Sequence, residues 1–299
     1  MKRLLAMLAL LVGASPLAAG AEDCRLHIAA SVTMGIDEAG GVYLPMSIGS
    51  NTVNLLVDTG GLDSMLSDAA VAKLGLSTQV LGAGIHVTMF GGKRIDRYAT
   101  ARDVVFGGLT TPSMRFLVMP DGALSPGLDG TIAPDILRAY DDDFDFANAK
   151  FNLISPEHCT GQVIYWTSEP HTEIEFTLDG PHVTLPVTLD GQQITAEIDT
   201  GSSRSLFTLE EAERLFGFDA NSPLLTSLGG GRSYKYAFKT LSFGGVTVAN
   251  PDILLVPDAK ARLHRYNDRI ILGMGVLRQL HLYIAYHEKK LYITAASAH

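Results

Sequence analysis

Asp58 and Asp199 are the residues whose setting calls for a chemical explanation. Each stands at the end of an apolar run, in "LLVDTGGLDSMLS" (55–67) and "AEIDTGSSRSLFT" (196–208), and each is followed by Thr and Gly. Burying a carboxylate is costly unless it is paired or hydrogen-bonded. A strand closing in an Asp-initiated turn explains either one alone, because Asp, Thr and Gly all suit turns. Two such aspartates admit a chemical reading. If they meet, they cannot both ionise easily, so they share one proton and act as base and acid together. Water then suffices as the nucleophile. Nothing in the sequence offers a rival: there is no GxSxG, Walker loop, CxxC, HExxH, or GxGxxG after a strand. The nine histidines lack ligand spacing, so neither a metal nor a cofactor is expected.

The elements that must position this pair are written twice. An offset of 141 residues lays "YLPMSIGSNTVNLLVDTG" (43–60) on "TLPVTLDGQQITAEIDTG" (184–201) without a gap. Each copy reads as a β-hairpin whose second strand ends in Asp-Thr-Gly. Downstream, "SDAAVAKLGL" (67–76) and "TLEEAERLFGF" (208–218) read as short helices opened by Ser67 and Thr208. "TMFGGKRIDRY" (88–98) and "TSLGGGRSYKY" (226–236) read as glycine-tipped hairpins. "VVFGGLT" matches "LSFGGVT", "TIAPDIL" (131–137) matches "ILGMGVL" (271–277), and "FDFANAKFNLI" (144–154) matches "IAYHEKKLYIT" (284–294). One order of features repeated in full is the mark of a duplicated, mostly β unit of about 130 residues.

Duplicated halves tend to pack about a pseudo-two-fold axis, as identical subunits do. There Asp58 and Asp199 would meet. Gly60 and Gly201 would let backbone approach each carboxylate, and Thr59 and Thr200 would hydrogen-bond across the axis. On these motifs the sequence resembles the aspartic proteases, with two retropepsin-like lobes in tandem, over nearly the whole chain from Gly41 to Thr294. The resemblance implies an all-β bilobal fold with a central cleft, peptide-bond hydrolysis, and Asp58 and Asp199 as the catalytic pair. It implies that Ile271-Leu272-Gly273 braces a catalytic loop, and that hairpins around Gly91-Gly92 and Gly229-Gly230 form flaps. The sequence departs from the family at Gly61, where Ser or Thr is usual and where the second copy has Ser202. It departs again at Ala133, in place of the bracing glycine, which implies a looser first lobe. Tyr98 and Tyr236 stand too far along their hairpins to serve as a flap tyrosine.

The rest of the chain sets the context. "MKRLLAMLALLVGASPLAAGAED" has a basic start, a short apolar run and a small-residue close, as in a secretory signal peptide cut after Ala21. A membrane anchor, the alternative, calls for a longer apolar run. A periplasmic or secreted protein is therefore expected, with no stable membrane insertion after cleavage. Its two cysteines, Cys24 and Cys159, would pair as one disulfide or stay as buried thiols. Without Lys2 and Arg3 the formal charge moves from −9 to −11, which argues against nucleic acid. The partner expected is a polypeptide substrate, and two lobes in one chain make a monomer sufficient for the site. The expected division is 1–21 signal peptide, 22–160 first lobe and 161–299 second lobe. Residues 155–173 would cross between lobes, with Val163–Trp166 as a strand. Asp141-Asp142-Asp143 reads as a solvated loop, and 121–130 and 258–269 as specificity loops. Two other readings of the whole remain: a peptide-binding module with this fold but no turnover, and a structural β protein with the aspartates apart.

Overall fold

The computed structural model describes residues 24–85, 87–89, 92–257 and 269–297. The proposed signal peptide, Gly91 and nearly all of 258–269 lie outside them. Strands dominate the described residues, with short helices at Asp68–Lys73, Pro134–Leu137, Leu209–Phe216 and Met274–Leu277. The fold is the all-β, duplicated one that the repeat implies.

Each half is built round the same hairpin. Val42–Ile48 pairs with Asn51–Val57, setting Leu44 opposite Leu55. His182–Leu189 pairs with Gln192–Ile198, setting Leu185 opposite Ala196. The turns need left-handed backbone, supplied by Gly49 in one copy and by Asp190-Gly191 in the other. A later strand then slides in parallel beside the aspartate-bearing one. Gly130–Ile132 lies against Leu55–Val57, and Arg269–Leu272 lies against Thr195–Ile198. A strand covered on both faces has no solvent side, so its residues read as continuously apolar. Leu55, Leu56 and Val57 are all buried. The apolar run into Asp58 is thus the signature of a strand at the centre of a lobe.

The helices follow the sequence, with one difference in capping. Ser67 Oγ accepts a hydrogen bond from Ala70 N at 3.1 Å and caps Asp68–Lys73. Thr208 stands at the N-cap of Leu209–Phe216 but makes no side-chain cap bond. Gly217 closes that helix in the left-handed conformation, φ 70°.

The halves share a third, six-stranded sheet, in the order Ile28–Thr33, Lys150–Ile154, Asp141–Asp145, Leu280–Ala285, Lys290–Ala295, Thr172–Glu175. Its centre is the antiparallel pairing of Asp142–Asp145 with Leu282–Ile284 and His281, where Asp143 faces Tyr283. The aspartate run is therefore a buried strand and not a solvated loop. Asp141 bonds His158 Nε2 (2.7 Å), Tyr286 N (3.0 Å) and Tyr283 Oη (3.2 Å). Asp143 bonds His281 Nε2 and Asn152 Nδ2, both at 2.7 Å, and also the Tyr165 hydroxyl. Asp142 accepts from Tyr286 Oη at 2.9 Å, while its Oδ1 has no partner among the described residues. Burial lifts Asp141 above the ordinary carboxylate value and Asp142 well above it. A protonated, neutral Asp142 removes the cost of an incompletely partnered buried charge.

Two further expectations change. Val163–Trp166 is not a strand; the strand that the crossover adds to the shared sheet is Thr172–Glu175. Residues 163–166 lie across the sheet instead. Val163 is buried against Tyr283 and Tyr292, and the Trp166 ring stacks on His281 at 4.1 Å. His281 is thus a packing residue of this sheet. Cys24 and Cys159 are joined in a disulfide, 135 positions apart in sequence. It ties the chain ahead of edge strand Ile28–Thr33 to the chain just beyond its neighbour, Lys150–Ile154.

Candidate active site

The two Asp-Thr-Gly loops meet between the lobes. Asp58 N donates to Ile132 O at 2.9 Å and Asp199 N to Leu272 O at 3.0 Å, so the inserted parallel strands hold both loops in the same way. The threonines bind the loops to each other. Thr200 Oγ1 donates to Val57 O (2.7 Å), Thr59 Oγ1 to Ile198 O (2.9 Å), and each threonine N donates to the other's hydroxyl (3.0 and 3.2 Å). Both side chains are buried, so these bonds are shielded from water.

The carboxylates are neighbours, each seated against the opposite loop's glycine. A Cβ on Gly60 would sit 2.4 Å from Asp199 Cγ, and one on Gly201 would sit 2.4 Å from Asp58 Oδ1. Glycine is required at both positions because the opposing carboxylate occupies the space a side chain would take. Asp199 Oδ1 accepts from Gly201 N (2.8 Å) and Ser202 N (3.2 Å). In the first loop Gly61 N donates to the Asp58 carbonyl oxygen (3.1 Å), and the N–H groups of Gly61 and Gly60 favour an ionised Asp58. Burial pushes Asp58 up to about 6, against the pull of those N–H groups. Burial, then the charges of Asp58 and Glu197, push Asp199 well above the usual range. The pair therefore holds a proton where isolated carboxylates would not.

The Gly61 and Ser202 difference does not divide the carboxylates. Ser202 Oγ donates to Arg204 O at 2.7 Å, so it is the Ser202 N–H that serves Asp199, matching Gly61 N–H on Asp58. Nor does Ala133 leave the first loop without ties. Ala133 N donates to Ser64 Oγ at 2.9 Å, and Ser64 is held by Asp135 through both N (3.0 Å) and Oγ (2.7 Å). In the second lobe Gly273 N donates to Ser205 Oγ at 3.2 Å.

A cleft of about 650 Å³ opens over the pair. Its walls are largely apolar, with Leu56, Met65, Met89, Met119, Leu206 and Ile271 among them. Thr88, Met89 and Gly92 of the first glycine-tipped hairpin reach it, as do Ala123, Leu124, Ser125 and Leu128 of the loop after Met119. Gly229 and Gly230 do not. Their hairpin, Thr226–Leu228 with Ser233–Lys235, is pinned flat by pairing to Ile253–Val256 and extends a sheet edge. Tyr236 packs among Phe216, Phe218 and Phe238, away from the cleft wall. No group of His, Cys, Asp and Glu among the described residues is arranged to hold a metal ion.

His182 and Glu197 are site residues that the motif alone does not reveal. His182 lines the cleft beside both aspartates, and Glu197 precedes Asp199 by two residues on its strand. The repeat carries the signal that finds them: the offset places His182 on Gly41 and Glu197 on Leu56.

Two duplicated β lobes that bring one aspartate each to a shared cleft define a bilobal, carboxylate-paired protein. The sequence pattern of the family described as Aspartyl protease matches residues 44–131 and 185–276, one copy per lobe. The chain belongs to that family. No curated protein matches it.

Proposed function

We propose that the protein is an aspartic endopeptidase that hydrolyses peptide bonds with water activated between Asp58 and Asp199. The observation that carries this reading is the closely apposed, half-buried carboxylate pair at the base of an open cleft. The ionised carboxylate takes a proton from water while the protonated one hydrogen-bonds the scissile carbonyl oxygen. As the water oxygen bonds to the carbonyl carbon, the C=O double bond opens and the acid's proton passes to that oxygen, giving a neutral diol. The carboxyl that took water's proton then gives it to the leaving amine, and the C–N bond breaks. One diol hydroxyl returns its proton to the other aspartate as C=O re-forms, so the dyad again holds a single proton. The apolar cleft supports polypeptide substrates with apolar side chains flanking the cut, since Met and Leu walls give adaptable contact without polar demands. The disulfide supports function in an oxidising compartment, consistent with export.

The test is cleavage of a peptide library by the chain from Glu22, over about pH 3 to 8, beside Asp58→Asn and Asp199→Asn. The expected result is cutting by the wild type and a loss of about 10³-fold or more in each variant. A folded wild type that retains peptides without cutting them would put the binding-module reading in its place.

A further inference from the structure

The duplication breaks beside the dyad. In the first lobe the two equivalent residues carry no charge: Leu56 is a cleft-wall hydrocarbon, and Gly41 has no side chain. The nearest ionisable group there is Asp37, which lines the cleft and accepts from Gly41 N at 2.7 Å. In the second lobe the same positions hold His182 and Glu197, each only 1% exposed. Thr184 faces Glu197 across the hairpin, and His182, two residues before it on the same strand, lines the cleft together with Asp58 and Asp199. His182 Nδ1 lies 3.2 Å from Glu197 Oε1, while Arg269 Nη1 lies 3.2 Å from Glu197 Oε2 and Arg269 Nη2 lies 2.9 Å from Asp179. A chain of alternating charge thus runs from the protein surface at Asp179 to the wall of the cleft.

We propose that His182 and Glu197 decide which aspartate carries the dyad's single proton, holding Asp58 as the carboxylate and Asp199 as the acid. Two acids related by a two-fold axis are equivalent, so nothing in the duplicated framework itself makes the choice. The His182–Glu197 pair, which the first lobe lacks, does. Glu197 points from the same strand face as Asp199 and repels a second negative charge there. His182, when protonated, attracts negative charge to Asp58. The charge effects on the two aspartates run in these directions, with His182 favouring ionised Asp58 and Glu197 disfavouring ionised Asp199. Among the described residues the titratable and charged groups around His182 include Glu197, the two dyad aspartates, Asp179 and, across the cleft lining, Asp37, with Arg269 acting through Glu197. The strand Thr240–Phe243 on the other side of its own brings no charge. Under the peptidase reading, on which the consequence for turnover rests, Asp58 accepts the proton of water and Asp199 binds the carbonyl. His182 and Glu197 are positioning residues that act through the dyad.

The deciding measurement is an NMR titration of aspartate side-chain carboxyl carbons, with Asp58→Asn and Asp199→Asn assigning the two signals. It does not require turnover. His182→Gln is expected to raise the Asp58 midpoint by about one pH unit, and Glu197→Gln to lower the Asp199 midpoint by a similar amount. Midpoints unmoved in the folded variants overturn the proposal. Should one variant fail to fold, the other decides. In cleavage assays the acid limb of the pH–rate profile should move up in His182→Gln and the alkaline limb down in Glu197→Gln. A loss of rate with both limbs in place would mean a merely structural role. If the wild type cleaves nothing, the peptidase reading falls while the titration still decides the proton's placement.

Discussion

Thr200 satisfies groups that its own lobe does not contain: its hydroxyl donates to Val57 O and accepts from Thr59 N. Thr200→Val keeps the shape and strands both groups in a buried seam. The expected loss of stability is about 2–4 kcal/mol, measured by urea unfolding, since an unsatisfied buried group costs about 1–3 kcal/mol. Gly61 yields a second expectation. A Cβ there would meet Asp58 Oδ2 at 2.8 Å and Ala133 Cβ at 3.3 Å. Gly61→Ser, which restores the residue usual in the family, should therefore lower peptide cleavage by about tenfold, because a displaced carboxylate loses its alignment. An unchanged or improved rate would contradict this. Asp58, Asp199, the threonines and the glycines were legible because the motif occurs twice in one register. His182 and Glu197 were not, because a motif search looks for sameness and these residues act through their difference between copies.

At the scale of elements, the two bracing turns differ in the room they leave. A Cβ on Gly273 would come within 2.3 Å of Arg204 O and 2.5 Å of Ser202 O, which are backbone atoms with no rotamer to yield. Gly273→Ala should cost about 3 kcal/mol, at the high end for overpacking, and Ala133→Gly only about 1 kcal/mol. Thermal unfolding of the pair of variants tests the contrast; equal losses would refute it. The hairpins, both longer helices and the inserted parallel strands follow from alternation, caps and the repeat. Asp141–Asp143 does not. Three acids in a row read as solvated chain, and only sequence-distant groups (His158, Tyr165, His281, Tyr283 and Tyr286) make them a strand. The hairpin at Gly229-Gly230 misled for a similar reason: its sequence gives the turn, while pairing with Ile253–Val256 gives its direction.

Across the whole molecule, buried acids set the response to pH. Burial raises Asp58, Asp141, Asp142 and Asp199 above the ordinary value of 3.8. The native chain then holds protons that the unfolded chain releases, so this stabilisation is full below the unfolded values and is lost as pH rises through the folded ones. The melting temperature should fall as pH rises from about 4 to 8, with a flatter decline in Asp142→Asn; a rising profile would contradict the burial argument. The disulfide acts on the other side of the equilibrium. Its span of 135 positions corresponds to about 5 kcal/mol of unfolded-chain entropy as an upper figure. Replacing Cys24 and Cys159 with Ser should lower stability by about 2–5 kcal/mol in denaturant titrations. The six-stranded sheet has one more consequence. At its centre Asp143 of the first repeat pairs with Tyr283 of the second, and the crossover joins the two repeats covalently. Each lobe therefore meets the other at an effective concentration on the order of millimolar, whatever the amount of protein present. Dilution that would dissolve a site assembled from separate chains leaves this one intact, and its specific activity should be the same from the most concentrated sample to the most dilute.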